Sequence, residues 1–145
     1  VTEKEDRYNQ LYMDIAERFA QMSHAVRAKV GAVLIRDGNV ISFGWNGTPK
    51  GTTNRCELDI IENGVLTTVT ASNVQHAEEN LLMKLLQSGI SSKDSTLYVT
   101  LLPCHQCSKL IYGAGIKNVY YRDSYRDSSG ARFLESLDIK IERLT

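Results

Sequence analysis

Four side chains in this 145-residue chain have the types and spacing of a reaction centre. They are His76 and Glu78 in His76-Ala77-Glu78, and Cys104 and Cys107 in Pro103-Cys104-His105-Gln106-Cys107. One imidazole and two thiolates are donors that zinc prefers, and three protein ligands leave the fourth tetrahedral position to water, as in a catalytic rather than a structural zinc site. Zinc lowers the pKa of such a water from about 15.7 to about 7. A carboxylate beside that water can take its proton and hand it on, an action that contributes about 10²–10⁴-fold. Together these groups support hydrolysis. A structural zinc site would need a fourth ligand from Cys56, His24 or His105, the remaining cysteine and histidines. His105 lies between the two cysteines, where a helix turns it to another face, and His24 and Cys56 read as ordinary surface or core residues. A redox Cys-x-x-Cys pair has no need of the histidine and glutamate. Glu79, beside the motif, reads as a helix-N-terminal charge.

These residues come from distant parts of the chain, so secondary structure has to bring them together. Cys104 and Cys107 are three apart and share a helical face. Pro103 predicts the first turn of a helix running to Tyr112, with Gly113 at its exit. A helix N-terminus stabilises thiolates through its dipole and free N–H groups. His76 opens a second helix, carrying Leu81, Leu82, Leu85 and Leu86 and stopping near Gly89. Upstream, Tyr8 to Met22 has helical periodicity. Val30–Ile35 and Val40–Trp45 flank the turn Asp37-Gly38-Asn39 as a hairpin. Gly44 to Gly51 is loop-like, and Thr52 to Asn73 reads as a long functional loop with a short helix. Thr96–Leu101 and Val119–Tyr121 read as strands, Ser129–Leu137 as a short helix and Ile139–Leu144 as a last strand. The order predicts one α/β domain over residues 1–145, a sandwich with a mixed sheet.

Composition narrows the classes. The length is that of one ordinary domain, and 42% hydrophobic residues suffice for a core without staples. Lys+Arg and Asp+Glu number 17 each, for a formal net charge of zero. Affinity for nucleic-acid backbone comes from clustered positive charge. The balance therefore argues against nucleic acid as the partner and leaves a small phosphorylated substrate open. Three cysteines, an odd count with a close pair, fit metal ligation in a reducing compartment better than a disulfide framework. Val1 to Arg7 is charged and polar, and no signal peptide or membrane-length apolar run is evident. The expected location is cytoplasmic, with no membrane partner.

Further segments accompany the reactive residues: Lys29-Val30-Gly31-Ala32-Val33, Gly44-Trp45-Asn46-Gly47-Thr48-Pro49, Asn80 after the histidine motif, Tyr98-Val99-Thr100, Lys109 after the cysteine pair, and Ala114-Gly115-Ile116-Lys117. With the His-x-Glu and Pro-Cys-x-x-Cys spacing of the zinc-dependent deaminases, the chain resembles the cytidine/deoxycytidylate deaminase superfamily from Lys29 to about Arg143. The Gly-Trp-Asn-Gly loop and the long segment between it and His76 are similar to the deoxycytidylate branch. The resemblance implies a cytidine-deaminase-like three-layer α/β/α sandwich with a five-stranded mixed sheet. It implies one catalytic Zn²⁺ per subunit on His76, Cys104 and Cys107, with Glu78 as the proton shuttle rather than a ligand. The implied reaction is dCMP + H₂O → dUMP + NH₃, supplying thymidylate synthesis.

Asn46 is implied to hydrogen-bond the sugar; beside a glycine it also reads as a turn residue. Ser23, Arg27 and Lys29 before the first strand, and Tyr125 and Arg126 after the fourth, are candidates for the phosphate. Arginine suits phosphate through its bidentate fork, and Arg27, Lys29 and Arg126 read equally as surface charges. Tyr125 suits stacking on the base or covering it. Many members of the branch are hexamers, activated by dCTP and inhibited by dTTP, with Mg²⁺ on the triphosphate. The resemblance places that effector site on Gly44, Asn46, Gly47, Lys50 and Lys84, although Gln87 stands where some members carry arginine. The extra ligands of a second zinc found in some viral members are lacking. Expected partners are dCMP, dCTP, dTTP and further copies of the chain in a homohexamer. Two rival readings remain. One is another deaminase of the superfamily, acting on cytidine, guanine or tRNA adenosine, the last disfavoured by the neutral charge. The other is a zinc-stabilised binding module without catalysis, disfavoured by Glu78.

Overall fold

The computed structural model describes all 145 residues. Helix α1 spans Glu3–Ala20, the hairpin strands β1 and β2 span Gly31–Arg36 and Asn39–Trp45, and β3 and β4 span Glu57–Glu62 and Val65–Thr70. Then come α2 (Ala77–Ser88), β5 (Thr96–Leu101), α3 (His105–Gly113), β6 (Asn118–Asp123), α4 (Ser129–Ser136) and β7 (Lys140–Arg143). The main sheet has the order β2-β1-β5-β6-β7. β1 pairs antiparallel with β2 and β5, and β5, β6 and β7 run parallel. The expected five-stranded mixed sheet is present.

Side-chain alternation on the strands builds the layers. Ala32 and Leu34 of β1 and Leu97 and Val99 of β5 join Leu81 and Leu85 of α2, Ile111 of α3 and Leu134 of α4 in one core. Val33 and Ile35 point the other way, with Tyr98 and Tyr120, onto Tyr12, Met13 and Ala16 of α1. The sheet is thus covered on both faces, which explains the unbroken apolar run in β1. Gly44 lets α2 lie close against β2: a Cβ there would stand 2.5 Å from the Ala77 carbonyl oxygen.

α1 begins earlier than its apolar periodicity predicts. Thr2 caps it, accepting from the Glu5 N–H at 3.0 Å while the Glu5 carboxylate accepts from the Thr2 N–H at 2.9 Å. That capping box supports first turns with no buried face. The larger correction concerns residues 52–73. They hold no helix; β3 and β4 form a second, separate two-stranded sheet. Asn63 (φ 52°) and Gly64 (φ 77°) make its tight turn, both left-handed, as a two-residue type I′ hairpin requires. Asp37 and Gly38 do the same between β1 and β2.

Candidate active site

His76 is the N-cap residue of α2, with extended backbone (φ −71°, ψ 160°). Its N–H donates to the Glu79 carboxylate at 2.8 Å, so the charge expected at this helix start holds the backbone of the candidate ligand. Just upstream, Gln75 and Gly47 exchange two backbone bonds of 2.8 and 3.0 Å. Downstream, the Asn80 amide donates to the Trp45 carbonyl at 2.8 Å. The Gly44–Gly51 loop therefore braces the start of α2 on both sides of His76.

The second half of the site differs from the expected helix start. Pro103 precedes the N-cap instead of lying in the first turn, because the chain leaving β5 stays extended through Cys104 (φ −71°, ψ 169°). Cys104 is itself the N-cap, and its sulfur accepts from the Cys107 N–H at 3.4 Å. The two helix starts converge. His76 Nδ1 lies 3.3 Å from Cys107 Sγ and 3.6 Å from Cys104 Sγ, and the three donor atoms lie within 4.8 Å of one another. Tetrahedral zinc with ordinary Zn–S and Zn–N bonds sets its donors about 3.5–3.8 Å apart, so this donor set and spacing fit zinc. His105 turns away, its ring edge-on to Phe133 at 5.4 Å.

Hydrogen bonds among the three donors dominate the electrostatics here. The hydrogen bond from Cys107, then the one with His76, brings the Cys104 thiol down to about 4. The Cys104 sulfur beside it and then burial push the Cys107 thiol up. The Cys104 hydrogen bond takes His76 up to about 9. Zinc ligation requires such groups to release their protons. Burial raises the Glu78 carboxyl to about 7, opposed by a backbone hydrogen bond and then by His76.

A cavity of about 300 Å³ opens beside this cluster, and Glu78, His76 and Cys104 line it. Of the expected substrate residues, Arg27, Asn46 and Tyr125 share that lining, while Ser23, Lys29 and Arg126 do not. Ser23 is buried, and its hydroxyl donates to the Asn46 carbonyl at 2.7 Å and accepts from the Ala25 N–H at 3.1 Å. Lys29 is exposed. The Asn46 side chain accepts from the Val30 N–H at 2.9 Å and donates to the Ala28 carbonyl at 2.8 Å, leaving one N–H and one lone pair for a ligand. The five expected effector residues take different places along the Gly44–Gly51 loop and α2. Asn46 is in the cavity wall, Gly44 under α2, Gly47 in the bridge to Gln75, and Lys50 exposed in a turn. Lys84 donates to the Phe43 carbonyl at 3.2 Å and sits 4.0 Å from the Phe43 ring centroid and 4.9 Å from that of Trp45.

Cys56, Glu57 and Thr70 also line the cavity, and sequence reasoning missed their part in it. They belong to the base of the β3–β4 hairpin. Asn63-Gly64 was the available signal for that hairpin, but nothing local says which wall its base joins.

Residues 6–123 match the family model of the cytidine and deoxycytidylate deaminase zinc-binding region. The fold superposes on the crystal structure of dCMP deaminase from the cyanophage S-TIM5 in complex with dCMP and dUMP, with a TM-score of 0.86, 42% identity and coverage of 95% of this chain and 97% of that one. In sequence, the ComE operon protein 2 of Bacillus subtilis is 31% identical over 94% of this chain and 71% of its own length. The deoxycytidylate deaminase of Schizosaccharomyces pombe is 33% identical over 94% of this chain, which spans 44% of that longer protein.

Proposed function

We propose that this chain, which belongs to the family of cytidine and deoxycytidylate deaminases, hydrolyses dCMP to dUMP and ammonia as a single domain over residues 1–145. The observation that carries the reading is one cavity lined jointly by Glu78, His76 and Cys104 and by Arg27, Asn46 and Tyr125. The likeness to the cyanophage enzyme solved with dCMP and dUMP supports the same substrate.

In this reading His76, Cys104 and Cys107 hold zinc, which when bound supplies a Lewis acid that lowers the pKa of water to about 7. Glu78 accepts a proton from the attacking water and delivers it to N3 of the cytosine ring. The C4–O bond forms, the C4–N4 bond breaks, and a proton passed through Glu78 leaves with the amine as ammonia. Burial suits Glu78 to this exchange, because a shuttle works best with a pKa near the working pH. The spare hydrogen-bonding capacity of Asn46 serves the sugar, Arg27 the phosphate, and Tyr125 stacks on or covers the base.

Regulation belongs to the same proposal: activation by dCTP and inhibition by dTTP, with Mg²⁺ on the triphosphate, in a cytoplasmic homohexamer. The paired backbone bonds between Gly47 and Gln75 support it, since they join the candidate effector loop to the residue before His76.

Ammonia release from dCMP, CMP, deoxycytidine and dCTP, each with and without dTTP, and from dCMP with added dCTP, tests the reading. dCMP should be preferred, with sigmoidal kinetics that dTTP depresses. Preference for cytidine or deoxycytidine would overturn the substrate, and hyperbolic kinetics indifferent to dCTP and dTTP would overturn the regulation. Glu78→Ala should reduce turnover by at least about 10²-fold while zinc stays bound; full activity in that variant would sink the shuttle. Light scattering at working concentration should give six subunits.

A further inference from the structure

The hairpin β3–β4 forms its own sheet, yet its base builds part of the cavity wall. The Ala71 N–H donates to the Cys56 carbonyl at 2.7 Å and closes that base. Glu57 opens β3 and lines the cavity. Its Oε2 accepts from two consecutive backbone N–H groups, Val26 at 3.0 Å and Arg27 at 3.2 Å. Its own carbonyl accepts from Arg55 Nε at 3.1 Å.

The segment receiving this carboxylate lies between α1 and β1, where no helix or strand ladder fixes the backbone. Asn46 holds Ala28 and Val30 on one side, and Ser23 holds Ala25 on the other. Val26 is 85% exposed and provides no anchor of its own. The Glu57 bonds fill the gap between those two anchors. A free carboxylate on the wall of an anion-binding cavity would repel the anion. This one has an oxygen engaged by two N–H donors, in the stronger charge-assisted class of hydrogen bond.

We propose that Glu57 is a positioning residue for phosphate recognition. By accepting from Val26 and Arg27 it sets the course of their backbone, and so brings the Arg27 side chain to the cavity. The inference rests on the dCMP reading above, and its test separates the two.

In zinc-loaded full-length protein, Glu57→Ala should raise KM for dCMP about tenfold, equivalent to about 1.4 kcal/mol. Its kcat at saturation, and its kcat/KM for phosphate-free deoxycytidine, should change by less than about twofold, the pattern of lost ground-state positioning. Amide hydrogen exchange at Val26 and Arg27 should accelerate. Glu57→Gln retains a side-chain oxygen able to accept both bonds, and should keep KM within about threefold of the parent, since only the charge assistance is lost. An unchanged KM in Glu57→Ala overturns the proposal. So does an equal loss on dCMP and deoxycytidine, or a Glu57→Gln variant as impaired as Glu57→Ala. Should the parent protein act on deoxycytidine and not on dCMP, the substrate reading fails; protected Val26 and Arg27 amides in Glu57→Ala would separately refute the role of Glu57.

Discussion

Glu78 and Arg27 show how one cavity asks opposite things of two charged residues. Glu78 is buried, and desolvation lifts its carboxyl to about 7, so it can both accept and return a proton. In the proposed phosphate role, Arg27 would need a fixed backbone and a side chain that meets an anion. Replacing it should act on binding alone. Arg27→Ala is expected to raise KM for dCMP roughly 10- to 100-fold, the loss of about 1.5–3 kcal/mol for a hydrogen bond to a charged group, with kcat retained. Arg27→Lys keeps the charge but lacks the bidentate fork and should recover only part of the loss. Steady-state kinetics on dCMP beside deoxycytidine decides this; a matching fall on both substrates would mean that Arg27 shapes the cavity and does not hold phosphate.

Among the elements, the two helix starts carry the metal cluster and the strands set their spacing. α1 covers the opposite face and is tied to β6 through Arg122, which pairs with Glu17 at 2.7 Å and with Asp123 at 2.8 Å. Arg122 holds the Asp123 carboxyl below the usual carboxylate range. A depressed folded-state pKa means stability that is fully present above the unfolded value of about 3.9 and is lost as pH falls through the folded one. Both partners are partly exposed, so each pair is worth only about 0–1 kcal/mol. Arg122→Met should lower Tm by no more than a few degrees at neutral pH, with the difference shrinking as pH falls below the unfolded carboxylate value of about 3.9; thermal melts from neutral to acid pH check it, and a deficit that grew with acid would refute the assignment. The hairpin β3–β4 was legible in part, since Asn63-Gly64 between β-branched residues is a strong turn signal. Its threonines and charges hid the strands because both faces of this sheet are largely exposed, so no apolar alternation marks them.

For the whole molecule, zinc held by His76, Cys104 and Cys107 would add to stability as well as chemistry, because those residues join the start of α2 to the start of α3. Ligand binding at a thousand times Kd stabilises the folded state by about 4.1 kcal/mol. For a chain of this size that corresponds to a Tm shift of roughly 10 °C. Chelation should therefore lower Tm by about that amount in calorimetry, with recovery on adding Zn²⁺ and none on adding Mg²⁺. A chelated protein melting with the parent would show that the cluster contributes nothing to the fold. No helix is long and apolar enough to cross a membrane.

Local spacing determined the reactive residues. His76 with Glu78, and Cys104 with Cys107, are separated by two and three positions, and at a helix start such short spacing leaves side chains little choice of direction. The order of strand and helix segments along the chain predicted the mixed sheet, since short apolar runs such as Val30–Ile35 and Thr96–Leu101 are read from their own residues. The substrate side was decided by tertiary structure. Ser23, Arg27 and Lys29 look alike in sequence as donors before a strand, yet only Arg27 reaches the cavity. Ser23 is turned to the Asn46 carbonyl and Lys29 lies off the lining. In the proposal above, Glu57, thirty residues downstream of Arg27, holds the Arg27 backbone. That contact depends on where a separate hairpin docks, and no local pattern of residues encodes that.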